Sequence, residues 1–144
     1  MSVFFAMCQG TGLAIAAGTF AGASGRRDTI GVVLAIAAAI GGAALFAISM
    51  SNRDHSALIG IPLGIILAVL AYGVVSAVVA GAKSRVRGAS SIGLIVAGTA
   101  LVLAVITTFV WEPFGLVLLV GLLWLASARQ RRAQRKYEGL RSLR

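Results

Sequence analysis

The sequence predicts an all-α integral membrane helical bundle of about five transmembrane helices joined by short loops. Three observations carry that prediction. The first is composition: 59% of the 144 residues are apolar and only 12% are charged, with a mean hydropathy of +0.98. A water-facing domain uses about 25% charged residues to cover its surface. The second is clustering, since the runs 30–50, 61–82 and 92–110 hold no charged residue. Each approaches or exceeds the roughly 18 apolar residues that mark a membrane crossing. The third is where the cations fall. Seven of the thirteen lie after Ala128, directly behind an apolar run, which is where an anionic cytoplasmic leaflet attracts them.

Segment one covers 3–23 and is the least hydrophobic, with Gln9, Thr11, Thr19 and several glycines, and it closes at Arg26-Arg27-Asp28. It either crosses or forms a re-entrant dip buried by the other helices. Ala21-Gly22-Ala23 also resembles a signal-peptidase site, although the basic region that precedes such a segment is missing. Segment two covers 30–50, followed by a polar loop containing Arg53, Asp54 and His55. Segment three is expected at 61–82, because Pro62 suits a first helical turn, where its missing N–H costs nothing.

The stretch 92–126 contains one ionisable group, Glu112. As one helix it would be about 52 Å long at 1.5 Å per residue, against a hydrocarbon core about 30 Å thick. Trp111-Glu112-Pro113 sits mid-run. Proline disfavours helix before it, the carboxylate favours water and tryptophan favours the headgroup level. The run therefore divides into crossings at 92–110 and 114–128, leaving 129–144 as a basic tail.

Charge supports the division. With five crossings, Lys and Arg number twelve on the side of the first loop, third loop and tail, and one on the other. With four crossings the counts become eight and five. The positive-inside rule selects five, with the N-terminus outside and the C-terminus cytoplasmic. Arginine outnumbers lysine eleven to two, a bias that fits a GC-rich bacterial genome and hence an inner membrane.

Small residues recur four apart: Gly18 with Gly22, Gly60 with Gly64, and Gly73, Ala77 and Gly81 in series. In lipid, close backbone approach through such residues drives helix association, so these positions are the expected packing sites, within the chain or in a homo-oligomer. Arg129, Arg131, Arg132, Arg135 and Lys136 are the expected contacts to anionic headgroups, each worth about 1 kcal/mol near the surface. That placement favours lipid over nucleic acid as the partner of a +9 chain.

No charged residue lies in the centre of any span, whereas proton-coupled carriers need a group there that changes charge. Glu112 is the one nearby carboxylate, and its place beside Pro113 suits a wet turn better than a relay. Asp54 and His55 are neighbours in a short loop, where side chains are ordinarily just solvated. There is no nucleophile elbow, metalloprotease helix, phosphate loop or Cys/His cluster. The expectation is a non-enzymatic membrane component with no cofactor or metal. The alternative is an oligomeric channel or facilitator for a small solute, without proton coupling, lined by the neutral polar residues of the spans.

The glycine-rich opening at 12–18, the Gly/Ala helix leading into Lys83-Ser84-Arg85-Val86-Arg87, and Trp111-Glu112-Pro113-Phe114 before the last apolar run resemble a family of small bacterial polytopic membrane proteins known only as a domain of unknown function. The resemblance implies an all-helical membrane fold and no known activity, so no functional residue carries over from it.

Overall fold

The computed structural model describes residues 2–26, 28–52, 56–85, 90–110 and 113–141, with the side chains at 2, 90, 129 and 132–141 left aside. The chain is all helix, with no strand among the described residues. It runs α1 (Ser2–Gly22), α2 (Thr29–Ser51), α3 (Ala57–Lys83), α4 (Ser90–Val105) with a π-helical turn (Ile106–Val110) at its end, and α5 (Phe114–Arg141). The first four are long and apolar enough to cross a membrane, and the apolar part of α5, Phe114–Ala128, is shorter.

Segment one is a single uninterrupted helix, long and apolar enough to cross a membrane. Its end is built by local chemistry. Gly25 adopts φ 64°, a left-handed conformation that costs glycine nothing, and its N–H closes on the Gly22 carbonyl at 3.0 Å. A Cβ there would also meet Val79 Cγ1 at 2.9 Å. Asp28 begins α2, its carboxylate accepting from the Gly31 N–H at 3.2 Å as an N-cap.

Helix α3 starts at Ala57, four residues earlier than expected, behind an extended Ser56. Pro62 thus lies in the second turn, where it deprives the Leu58 carbonyl of one i→i−4 bond. Proline signals a helix start without fixing it. Helix α5 passes through Ala128 without a break and continues to Arg141, so the division at 128 is one of charge and not of backbone.

Neighbouring helices alternate in direction. Phe46 of α2 meets Gly10 of α1 and Gly60 of α3, and Ser49 meets Ala6, so α2 runs opposite to both. On α3, Ala68 and Ala71 sit at Gly18, and Tyr72, Val75 and Ser76 at Gly22, so α3 runs parallel to α1. Helix α5 does too, since Gly115 packs on Cys8 and Gly12, and one turn pair further on Leu122 packs with Ile15. The helix α1 occupies the centre and touches all four others. Helix α2 meets neither α4 nor α5 among the described residues.

Candidate functional site

Two kinds of surface organise the described bundle: the inward packing core and the outward apolar faces.

The core is made by absence of side chain. At Gly18, a Cβ would collide with the Ala68 carbonyl oxygen and come within 2.7 Å of Ala71 Cβ. At Gly64 it would strike the Gly42 carbonyl and approach Ala43 Cα to 2.9 Å, and Gly42 is equally closed by Ala68 and Gly64. Gly22 and Gly60 are tight but less severe, with nearest atoms at 3.0 Å. Ala77 is buried. At Gly18, Gly22, Gly42, Gly60 and Gly64 helix backbones approach one another. At Gly73 and Gly81 nothing lies within 4 Å of a Cβ, so neither is a close packing point within the chain. Four-residue spacing gathers small residues on one strip of α3, but α1 and α2 together cover only part of its circumference.

Sequence spacing did not single out one of the tightest approaches among the described glycines. Gly12 and Gly115 bring α1 and α5 backbone to backbone. A Cβ on Gly115 would collide with the Cys8 carbonyl, and one on Gly12 would collide with the Thr107 methyl. Neither glycine belongs to a GxxxG pair, so no local signal marked them.

The hydroxyls of the spans bond to backbone, most of them inside the bundle, whereas Thr99 does so on an exposed face. Thr11 donates to the Met7 carbonyl and Thr19 to the Ile15 carbonyl, both at 2.7 Å. Thr107 is fully buried, its hydroxyl 2.9 Å from the Leu103 carbonyl and 3.0 Å from that of Ala104, and Thr108 donates to the Ala104 carbonyl at 2.8 Å. These bonds lie where the i→i−4 pattern widens to i→i−5. Ser49 links helices by donating to the Ala6 carbonyl at 2.9 Å, with Gln9 Oε1 3.4 Å away. Among the described residues, no buried side-chain nitrogen or oxygen lacks a partner.

Among the described residues, charged groups collect at one end. Lys83 Nζ donates to the Ser24 carbonyl at 2.7 Å, joining the end of α3 to the first loop. Gly93 of α4 would place a Cβ 2.9 Å from the Ala23 carbonyl at the same end. Because α5 runs parallel to α1, the exposed Arg131 leaves at that end as well. Glu112, and the side chains of Arg129, Arg132, Arg135 and Lys136, lie outside the described residues.

The outside is apolar. Leu94, Ile95, Phe109 and Trp124 are 65–82% exposed, as a hydrocarbon solvent permits. A groove of about 420 Å³ runs between α2 and α3, walled by Val32, Ile36 and Val69 and floored by small residues including Gly31, Ala35 and Gly73. A second, of about 350 Å³, lies between α1 and α2.

No protein-family model, curated protein or solved structure matches the chain. The helices and their length and apolarity define its class, a polytopic α-helical membrane protein.

Proposed function

We propose that the chain is a non-enzymatic component of a bacterial cytoplasmic membrane that acts by packing against other membrane helices, its own copies or a larger complex. The tail and the loops carrying Arg26 and Lys83 face the cytoplasm. One observation carries this reading: the polar groups and tight glycines are consumed by internal packing, while α4 and α5 are left with wide apolar faces. Only 11% of the apolar window of α4 is buried. Gly98 and Gly121 sit on these helices with nothing within 4 Å of a Cβ, so another helix can approach there closely. The same hydrogen bonding weighs against a polar path for a solute, because the hydroxyls that would line it already bond to backbone.

A photo-crosslinking residue at Phe109, activated in native membranes, should yield a protein adduct of defined mass. Adducts to lipid alone would sink the interaction reading. Sidedness is tested separately. Single cysteines at Ser56 and Ser142, in a Cys8→Ser background, should label oppositely with an impermeant maleimide, Ser56→Cys from outside. Labelling of both from outside intact cells would rule out the five-crossing topology.

A further inference from the structure

We propose that the α2–α3 groove is a binding site for one anionic phospholipid, its acyl chain lying in the groove and its phosphate beside Arg26. The inference rests on the membrane reading of the fold and goes beyond the basic tail, which lies elsewhere.

The groove is a shallow, largely open strip along α2 and α3 with a polar end. It extends from Gly31 to Ala39 on α2, about 12 Å at 1.5 Å per residue. Val32 and Ile36 stand 58% and 56% exposed as its outer wall, and Val69 faces them from α3. The floor stays open because its residues are small, and no atom lies within 4 Å of a Cβ at Gly73. Ser76, the polar residue of the floor, turns its hydroxyl onto the Gly73 carbonyl at 3.4 Å and presents an apolar surface.

Tyr72 closes the groove at the charged end of the bundle. Its hydroxyl donates to the Gly31 carbonyl at 2.7 Å, with the Arg26 carbonyl 3.0 Å away. That places the Arg26 backbone at the mouth, with an exposed side chain. A tyrosine with an apolar body and a polar tip is the residue expected at headgroup depth. Near the mouth the charges that hydrogen bonds place are Arg26 and Lys83 against Asp28, a surplus of one cation. Lys83 is held by the Ser24 carbonyl and Asp28 by the Gly31 N–H, which leaves Arg26 the freer cation.

Charge also selects between occupants. A second copy packed groove to groove about a two-fold axis along the membrane normal would bring the two Arg26 ends together, and like charges oppose that contact. An anionic headgroup is attracted by the same field.

The test uses the full chain in detergent with an equimolar mixture of phosphatidylglycerol and phosphatidylcholine, read by native mass spectrometry for retained lipid and oligomeric state. The wild type should retain phosphatidylglycerol preferentially. Gly73→Leu, which fills the groove without touching the bundle, should lose one retained phosphatidylglycerol, while lipid on the tail stays. Ala39→Leu should repeat that loss from the inner end, and Gly41→Leu, at an open position of α2 that does not line the groove, should change nothing. Arg26→Gln should lower the preference about fivefold, the share of one basic residue near the surface. Unchanged retention in both groove variants, or equal retention of the two lipids by the wild type, would overturn the proposal. So would a wild-type dimer that Gly73→Leu splits, which would assign the groove to a second copy. Flotation of the wild type with liposomes after alkaline extraction tests the membrane reading on its own.

Discussion

Helices α1 and α4 invert what hydropathy alone suggests. Over its apolar window α1 has a mean hydropathy of 1.5 and is 56% buried, whereas α4 has 2.4 and is 11% buried. The less hydrophobic helix is the interior one. In water this would be paradoxical. In a bilayer the solvent is as apolar as leucine, so an oily helix gains little by being covered, while backbone proximity and hydrogen bonding gain much. The glycines, alanines and threonines of α1 supply both. Ala6 and Ala14 are fully buried, and Thr11 and Thr19 are nearly so. The large side chains of α4, such as Leu94 and Phe109, are left to lipid. A weak crossing signal here marks the centre of the bundle.

The contrast can be broken most forcefully at Gly18. Replacing it with leucine forces a side chain into the Ala68 carbonyl, and overpacking of this kind costs about 3 kcal/mol or more when backbone cannot yield. Gly18→Leu should abolish the monodisperse peak of the detergent-solubilised protein on size exclusion. A normal elution profile and melting temperature would show that α1 is not the centre.

A milder challenge removes an interhelical hydrogen bond. Ser49→Ala deletes the donor to the Ala6 carbonyl, and such bonds average about 0.6 kcal/mol in membrane proteins. A small fall in melting temperature is expected. A loss as large as that of Gly18→Leu would mean that polar links, and not close packing, hold α1 to α2.

The smallest effect belongs to α4. A Cβ at Gly98 meets no atom within 4 Å, so Gly98→Leu should leave thermal unfolding of the isolated chain unchanged within error. Crosslinking through Phe109 in native membranes should fall, however, if that face receives a partner helix. Destabilisation of the isolated chain would instead place Gly98 inside a packed surface.

Much of the architecture was legible from local chemistry. Apolar run length marked the helices, and Trp111-Glu112-Pro113 marked the division between the last two. The alternation of basic loops agrees with the parallel course of α1, α3 and α5. The candidate sites were legible only in part. Gly18, Gly22, Gly60 and Gly64 pack tightly, but Gly73 and Gly81 share their spacing and face outward. The contact of Gly12 with Gly115 joins residues too distant in sequence for any spacing rule to pair.

What the sequence determined by itself is solvent and periodicity: a chain this poor in charge must place its helices in lipid, because only there are its exposed leucines and isoleucines at no disadvantage. What the tertiary structure decided is which helix lies inside and which glycines touch. All the spans are nearly uniformly apolar around their axes, so no single helix carries a face that says which way to turn. That choice is made by steric fit between backbones at Gly12, Gly18, Gly64 and Gly115, a property of pairs of helices and not of any one of them.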